Sequence, residues 1–387
     1  MAAQPYTLYR TTRAAPAARL GAIGALVLLA LGPVAVTALA LGGNGGRAAS
    51  ANGPRAARPL VPPKPARTAT ISIAAVGDVA LGSTAAGLPP DPDALFAEVR
   101  PLLRADVVTA NLESALSDQG IAKCGEGRAG CYAFRAPPTF ARSLRSAGFT
   151  LVNLANNHTR DAGDGGLADT RAALDAAGVA HTGAPGEIAL LHVHGVRVAV
   201  VGFAPYPWAA DLLDIPAAQR LVREASGRAD VVVVQMHAGA EGSPYRHLAG
   251  EETYLGERRG DPVAFARAVV DAGADLVVGH GPHLLRAVEW YRGRLIAYSL
   301  GNFASYRNFA LAGPLGETAV LRVRLHADGT WAGGRLVPVR LGGTGTPAPD
   351  PAAGSLATIR GLSRADIGRR AAVLRADGVL APPAAAR

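Results

Sequence analysis

Acidic residues are missing from the first 77 positions, which hold eight Arg or Lys. Most of the formal net charge of +9 therefore sits in that stretch, and the rest of the 387-residue chain is close to neutral. Basicity confined to one terminus does not describe a binding face, and no nucleic-acid partner is expected. Cysteine is almost absent. Cys124 and Cys131, with Gly-Glu-Gly-Arg-Ala-Gly between them, are the only two, so a four-thiolate metal site is excluded. They are expected to close a small disulfide loop in an oxidising compartment, the alternative being two free thiols. A Gly-x-Ser-x-Gly elbow, a P-loop and a dinucleotide-binding glycine pattern are also lacking, which removes the usual signatures of serine hydrolases and nucleotide-binding folds. There is no internal repeat.

What is present begins with a long apolar run. A short basic tail, 1–19, leads into Leu20–Leu41, 22 residues without a charge, which is long enough to span a bilayer. Pro33 is tolerable in a membrane helix. The segment reads as an uncleaved transmembrane anchor. A cleaved signal peptide competes, although its apolar region is usually only about 7–15 residues. Arg10, Arg13 and Arg19 before the run are balanced by Arg47, Arg55 and Arg58 after it, so the positive-inside rule gives no orientation. Residues 42–69 are Gly- and Pro-rich and read as a linker. A folded domain is expected over 70–341, followed by an Ala/Pro/Gly-rich tail, 342–387, with one amphipathic helix at Ser355–Leu374.

Within the domain, strand-like and helix-like patterns alternate, which argues for a layered α/β fold with a largely parallel sheet. Strands are expected at Ile71–Val76, Val107–Ala110, Thr150–Leu154, Ile188–Val193, Val196–Phe203, Val231–Met236 and Leu276–Val278. Helices are expected at Asp91–Arg104, Thr139–Ala147, Gly165–Ala177, Pro216–Ser226 and Pro262–Ala272. Hairpins should turn on Gly195 and on Arg292-Gly293, with antiparallel strands later at Thr318–Leu325 and Arg335–Leu341.

Five strand-like runs end in polar residues. These are Asp78; Asn111 and Glu113; Asn156, Asn157 and His158; His237 with Glu241; and His280 with His283. Buried strands do not need such ends, whereas ligands in α/β sheets bind outside the carboxyl ends of strands. Asp78, Glu113, Asn157, His237, His280 and His283 offer carboxylate, amide and imidazole ligands, a set suited to one or two divalent ions such as Mn, Fe or Zn. Any one of them could be a turn former, a surface charge or a core histidine. Six at the ends of five strands read as a site. His192 and His194, beside the Gly195 turn, read as a solvated face.

Gly77-Asp78, Ala110-Asn-Leu-Glu113, Leu154-Ala-Asn-Asn-His158 with Asp161 and Gly163, Gln235-Met-His237-Ala-Gly-Ala-Glu241, Gly279-His-Gly-Pro-His283, Glu289 and Tyr298-Ser-Leu-Gly-Asn-Phe303 together resemble the CapA family. These are capsule-synthesis proteins associated with poly-γ-glutamate and related in fold to calcineurin-like metallophosphoesterases. The resemblance implies a four-layer αββα sandwich with a metal site at one end of two packed sheets. It implies that Asp78, Glu113, Asn157, His237, His280 and His283 hold metal and that His158 sits near the scissile group as an acid. Asn111, Asn156, Asp161, Glu241, Glu289 and Asn302 become candidates to touch substrate or orient the ligands. Two features depart from the pattern. Ala80 stands where metallophosphoesterases carry a histidine, and two residues rather than one separate His280 from His283, with Gly281 where CapA proteins commonly have His. Whether one or two metals bind is left open. The expectation is a single-pass, membrane-anchored protein whose extracytoplasmic domain acts on an anionic capsule polymer, or within its synthesis complex, as a metal-dependent hydrolase. The alternative is a non-enzymatic subunit that binds the polymer.

Overall fold

Side chains alternate across a strand, and here both faces of the central strands are apolar and buried. In the strand Thr70–Ala80, Ile71, Ile73 and Ala75 enter one core while Ala74, Val76 and Val79 enter another. The computed structural model describes residues 6–10, 69–83, 87–124, 131–308 and 311–383. The expected anchor, 20–41, lies outside them, and among the described residues no helix is long and apolar enough to cross a membrane.

The principal strands of the first half are β1 (Tyr6–Arg10), β2 (Thr70–Ala80), β3 (Val107–Leu112), β4 (Leu151–Asn153), β5 (Ala180–Thr182), β6 (Glu187–Val193) and β7 (Val196–Ala204). Next come β8 (Val231–His237), β9 (Leu276–His280), β10 (Val288–Tyr291), β11 (Arg294–Ala297) and β12 (Asn302–Ser305). The last are β13 (Glu317–His326), β14 (Trp331–Leu341), β15 (Val373–Leu374) and β16 (Val379–Ala381). One sheet runs β15, β16, β14, β13, β2, β3, β4, β5, with β12 also paired to β2. The other runs β1, β6, β7, β8, β9, β11, β10. Strands β2 to β5 are mutually parallel, as are β7, β8, β9 and β11. The hairpins β6–β7 and β10–β11 and the pair β13–β14 are antiparallel, as their turn residues required.

The sheets pack against each other through Ile73, Val107, Leu151 and Leu321 from one and Val198, Val233, Leu276 and Leu295 from the other. Helices cover the outer faces. On the β2 sheet lie α1 (Ala141–Ala147) and α2 (Gly163–Ala177), through Leu144, Leu167 and Leu174. On the β8 sheet lie α3 (Ile215–Arg228) and α4 (Pro262–Asp271), through Leu221, Val222, Phe265 and Val269. Both α3 and α4 start on an Asp cap followed by proline in the first turn: Asp214 accepts from Ala217 N–H, and Asp261 from Val263 and Ala264 N–H. The layers run helix, sheet, sheet, helix.

Two expected elements differ. Asp91–Arg104 is not one helix but two 3₁₀ turns, Ala94–Phe96 and Arg100–Leu103, because Pro101 has no N–H to continue an α-helix. The C-terminal stretch is not an appended tail. Its helix α5 (Gly354–Asp366) stops short of Leu374, and Leu356, Ile359, Leu374 and Leu380 join the core between the sheets. Strand β1 has no counterpart among the expected elements. It pairs antiparallel with β6 over Tyr6↔Leu191 to Arg10↔Glu187, and the Tyr6 hydroxyl donates to Asp175. A chain crossing a bilayer once between residues 20 and 41 would put β1 and the domain on opposite sides, so that pairing and a single crossing exclude each other.

Candidate metal centre

The registers of the two sheets bring the polar strand ends level. In one sheet Asn302 pairs with Asp78, Asp78 with Asn111, and Asn111 with Asn153. In the other His237 pairs with His280. Because both sets of parallel strands end on the same side of the inter-sheet core, the two rows face each other. Asp78 can occupy its place because Gly77 lacks a side chain: a Cβ there would lie 1.8 Å from Gly301 O, the backbone whose carbonyl accepts from Asp78 N–H at 2.9 Å.

Asp78, Glu113 and His283 present ligand atoms that all lie within 4.8 Å of one another. His283 Nδ1 is 3.2 Å from Asp78 Oδ2, and its Nε2 is 3.7 Å from Glu113 Oε1. His237 Nε2 stands 4.0 Å from Glu113 Oε1, and His280 Nδ1 stands 3.6 Å from Asp78 Oδ1. Neighbours fix these groups. Asn111 Nδ2 donates to Asp78 Oδ1 at 2.8 Å and faces His237 Nδ1 at 3.3 Å. Asn111 Oδ1 in turn accepts from Asn153 and Asn156, each at 3.0 Å. Asn302 Oδ1 meets His283 Nδ1 at 3.1 Å, and its Nδ2 donates to His283 O. Gln235 Oε1 lies 3.1 Å from His280 Nε2. That bond leaves His280 Nδ1 as the nitrogen facing the cluster. His283 itself holds a left-handed backbone (φ 62°), a conformation that costs a non-glycine residue energy and clusters at functional sites.

Among the described residues, four buried polar atoms of this cluster find no hydrogen-bond partner, namely both Glu113 carboxylate oxygens, His237 Nε2 and His280 Nδ1, and Asn157 Oδ1, on the side chain that meets Glu241, is likewise unpartnered. Each such atom costs about 1–3 kcal/mol if left unsatisfied. One divalent cation would satisfy carboxylate, amide oxygen and imidazole lone pairs together. The electrostatics agree. Burial pushes Glu113 well above the usual carboxylate range, with Asp78 and Glu241 adding to the effect against His283. Burial would raise Asp78 as well, but His283, His280 and His237 hold it below that range. Burial by itself would depress His283, and Glu113, Asp78 and Glu241 outweigh it, carrying the imidazole up to about 10. Burial pushes His237 well down and His280 down to about 4, so both are neutral lone-pair donors at neutral pH. The residues fit a divalent cation. Ala80, buried on β2, offers no ligand atom. Gly281 (φ 105°) could not carry a histidine without crowding, since its Cβ would stand 3.1 Å from His237 Nε2.

Beside the cluster, His158 Nδ1 is 2.6 Å from Asp161 Oδ2, and the ring stacks on Phe134 with centroids 4.0 Å apart. Asn156 Oδ1 accepts from His158 N–H at 2.9 Å. Burial lowers the His158 imidazole against the opposing pull of Asp161. Glu241 links the parts: it accepts from Arg259 Nη2 at 2.6 Å, meets Asn157 Nδ2 at 3.5 Å and stands 3.7 Å from His283 Nε2. Glu289 does not join them. It is fully buried, but its partners are Arg267, Arg370 and Tyr298, a separate ion-pair group on the helix-covered face.

Five participants escaped the sequence reading. Gln235, two positions before His237, and Asn153 could have been found, each being a polar residue in a mostly apolar strand. Lys123, Phe134 and Arg259 carry no local signal, because the loops that bring them in are set by tertiary contacts. Cys124 and Cys131 are disulfide-bonded, with Cα atoms 5.8 Å apart.

Residues 72–307 match the family model described as bacterial capsule synthesis protein PGA_cap. The PGA biosynthesis protein CapA of Bacillus subtilis (strain 168) is 31% identical over 301 residues, covering 72% of this chain and 73% of that protein. The capsule biosynthesis protein CapA of Bacillus anthracis is 34% identical over 210 residues, covering 49% of this chain and 47% of that one. Among solved structures, a 5'-nucleotidase precursor from Thermus thermophilus is a distant likeness: TM-score 0.41, 16% identity, 76% of this chain and 59% of that chain.

Proposed function

Because the chain belongs to the PGA_cap family of bacterial capsule synthesis proteins, we propose that it serves the production or export of poly-γ-glutamate or a related anionic capsule polymer as a metal-dependent hydrolase of metallophosphoesterase type. The observation that carries this is the grouping of Asp78, Glu113 and His283 ligand atoms within 4.8 Å of one another, beside unpartnered atoms of Glu113, His237 and His280. A divalent ion held by Asp78, Glu113, Asn157, His237, His280 and His283 would supply a Lewis acid and an activated water for attack on a phosphoester or an amide.

The chain's own residues do the remainder. Asp161 accepts a hydrogen bond from His158 Nδ1–H, which leaves Nε2 as the nitrogen that exchanges a proton. The imidazolium, which the Asp161 carboxylate favours, would give its Nε2 proton to a leaving group and return to the neutral Nδ1–H ring. Asn302 and Gln235 hold His283 and His280 in the orientation ligation requires. Arg259 restrains Glu241 at the edge of the site, where the pair can orient substrate.

An extracytoplasmic domain tethered by residues 20–41 is part of this reading, supported by the Cys124–Cys131 disulfide. That tether requires β1 to be off the edge of β6, to which it is paired in the structure. A second reading, a polymer-binding subunit without turnover, is favoured by Ala80, which removes one metal ligand of the phosphoesterase pattern. Turnover of bis(nitrophenyl) phosphate and of a γ-glutamyl amide by the purified chain, with and without chelator, separates the two. Chelator-sensitive hydrolysis supports the enzyme, and bound metal with no hydrolysis supports the binding subunit.

A further inference from the structure

The disulfide loop is fastened to the residue that orients His158. Before the loop, Ala122 and Lys123 N–H both donate to the Asp161 carbonyl, at 2.7 and 3.1 Å. After it, Phe134 N–H donates to Asp161 Oδ2 at 2.6 Å, the same oxygen that holds His158 Nδ1. The Phe134 ring then lies flat against the His158 ring, 27° from parallel. Lys123 Nζ stands 3.3 Å from Asp161 Oδ1, donates to Asn157 O at 3.2 Å and lies 3.3 Å from His158 Nδ1. Asp161 is fully buried, whereas the Lys123 side chain is 32% exposed. Between the two fastenings, Cys124 and Cys131 close the chain on itself. One covalent bond thus holds both jaws of a grip on a single carboxylate.

We propose that the Cys124–Cys131 disulfide ties Ala122–Lys123 to Phe134 as a clamp that positions the His158–Asp161 pair, with Lys123 and Phe134 as positioning residues, so that site geometry depends on the oxidised state of Cys124–Cys131. The clamp meets the proposed ligand set at the Asn157 backbone carbonyl, through Lys123 Nζ, and its other hydrogen bonds to the site go to Asp161 and His158, so opening it should disturb the acid while leaving the carboxylate and imidazole ligands in place. A shift of about 1 Å in a reacting group can cost about 10²-fold in rate. As a positioning role for an acid, it rests on the hydrolase reading above. The geometric part of the claim does not.

The test uses the full chain in three forms: oxidised, reduced with a thiol reductant, and as the Cys124→Ser/Cys131→Ser double variant. The first readout is carbethoxylation of His158 by diethyl pyrocarbonate, located by peptide mass spectrometry, which needs no turnover. Opening the clamp should speed labelling of the buried His158 ring about tenfold or more, as easier local opening predicts, while metal content stays at the wild-type level. Unchanged labelling in the reduced protein overturns the clamp, and reduction of wild type provides that result even if the serine variant fails to fold. The second readout is kinetic. Lys123→Ala should lower kcat with little change in KM, and Lys123→Arg should restore most of it. Equal losses in both variants, or a loss confined to KM, overturn the role given to Lys123. Faster labelling in a protein that never hydrolyses any substrate keeps the clamp and removes the hydrolase reading.

Discussion

Replacing Glu113 by glutamine should separate what the site does for metal from what it does for the fold. Glu113 is fully buried, neither carboxylate oxygen has a hydrogen-bond partner, and burial favours its protonated form when no cation is present. A neutral amide of the same shape resembles that protonated acid. In chelator, Glu113→Gln should therefore unfold within about 1 kcal/mol of wild type, the scale of a single hydrogen bond. With divalent metal the two should part. At a metal concentration about 100-fold above Kd the wild type gains about 2.7 kcal/mol, which corresponds to about 4 °C in Tm for a domain of this size. The variant has lost an anionic ligand and should gain little of that. Differential scanning fluorimetry with and without Mn²⁺ or Zn²⁺ measures both quantities on one sample. A variant that keeps the full metal-induced shift would refute the placement of Glu113 at the metal. A variant that loses about 3 kcal/mol or more in chelator, as when a buried ion pair is broken, would show that Glu113 is ionised and paired without metal.

Asn157→Ala should lower metal occupancy, with activity partly returning at excess metal, whereas His158→Ala should keep occupancy and lose about 10²–10⁴ in rate. That second loss should shrink for nitrophenyl esters, whose leaving group needs no proton, and an equal loss across leaving groups would count against His158 as the acid. Ile359→Ala, in the C-terminal helix but fully buried in the inter-sheet core, should cost about 2–5 kcal/mol in urea unfolding, and an unchanged midpoint would make that helix peripheral. Thr7→Cys with Leu190→Cys, in register across β1 and β6, should form an intramolecular disulfide when β1 is docked. Membrane-inserted protein that crosses the bilayer once should form none, and cross-linking there would show that residues 20–41 do not make a single crossing.

The site was legible where polarity interrupted an apolar strand. Asp78, Asn111, His237 and His280 each lie at or near the end of a run made mostly of buried apolar residues, so they stood out before any fold was known. Alternation of apolar runs with helical periods likewise exposed the α/β layering. Glu289 misled because a buried carboxylate on a strand looks the same whether it meets a cleft or two arginines. The C-terminal helix reads as part of a tail because Ala, Gly and Pro dominate its surroundings, yet Leu356, Ile359 and Leu362 at helical spacing are enough to seat it. Lys123 and Phe134 had no signal, since only the fastening of their loop to Asp161 brings them to His158. Strand β1 had none either: five residues of mixed character acquire meaning only from the free edge of β6.

Whether the two rows of strand ends hold a metal can be measured directly. Full-length protein would be purified without chelator from cells supplied with Mn, Fe and Zn, and its metal content determined by plasma mass spectrometry beside the His237→Ala/His280→Ala variant. A built site of six ligands should retain about one divalent ion per chain, or two if Asn157 and a carboxylate bridge a pair, and the variant should retain almost none. Wild-type protein that carries no divalent metal, gains none from added Mn²⁺ or Zn²⁺ and shows no metal-induced rise in Tm would contradict the metal centre, and the hydrolase with it.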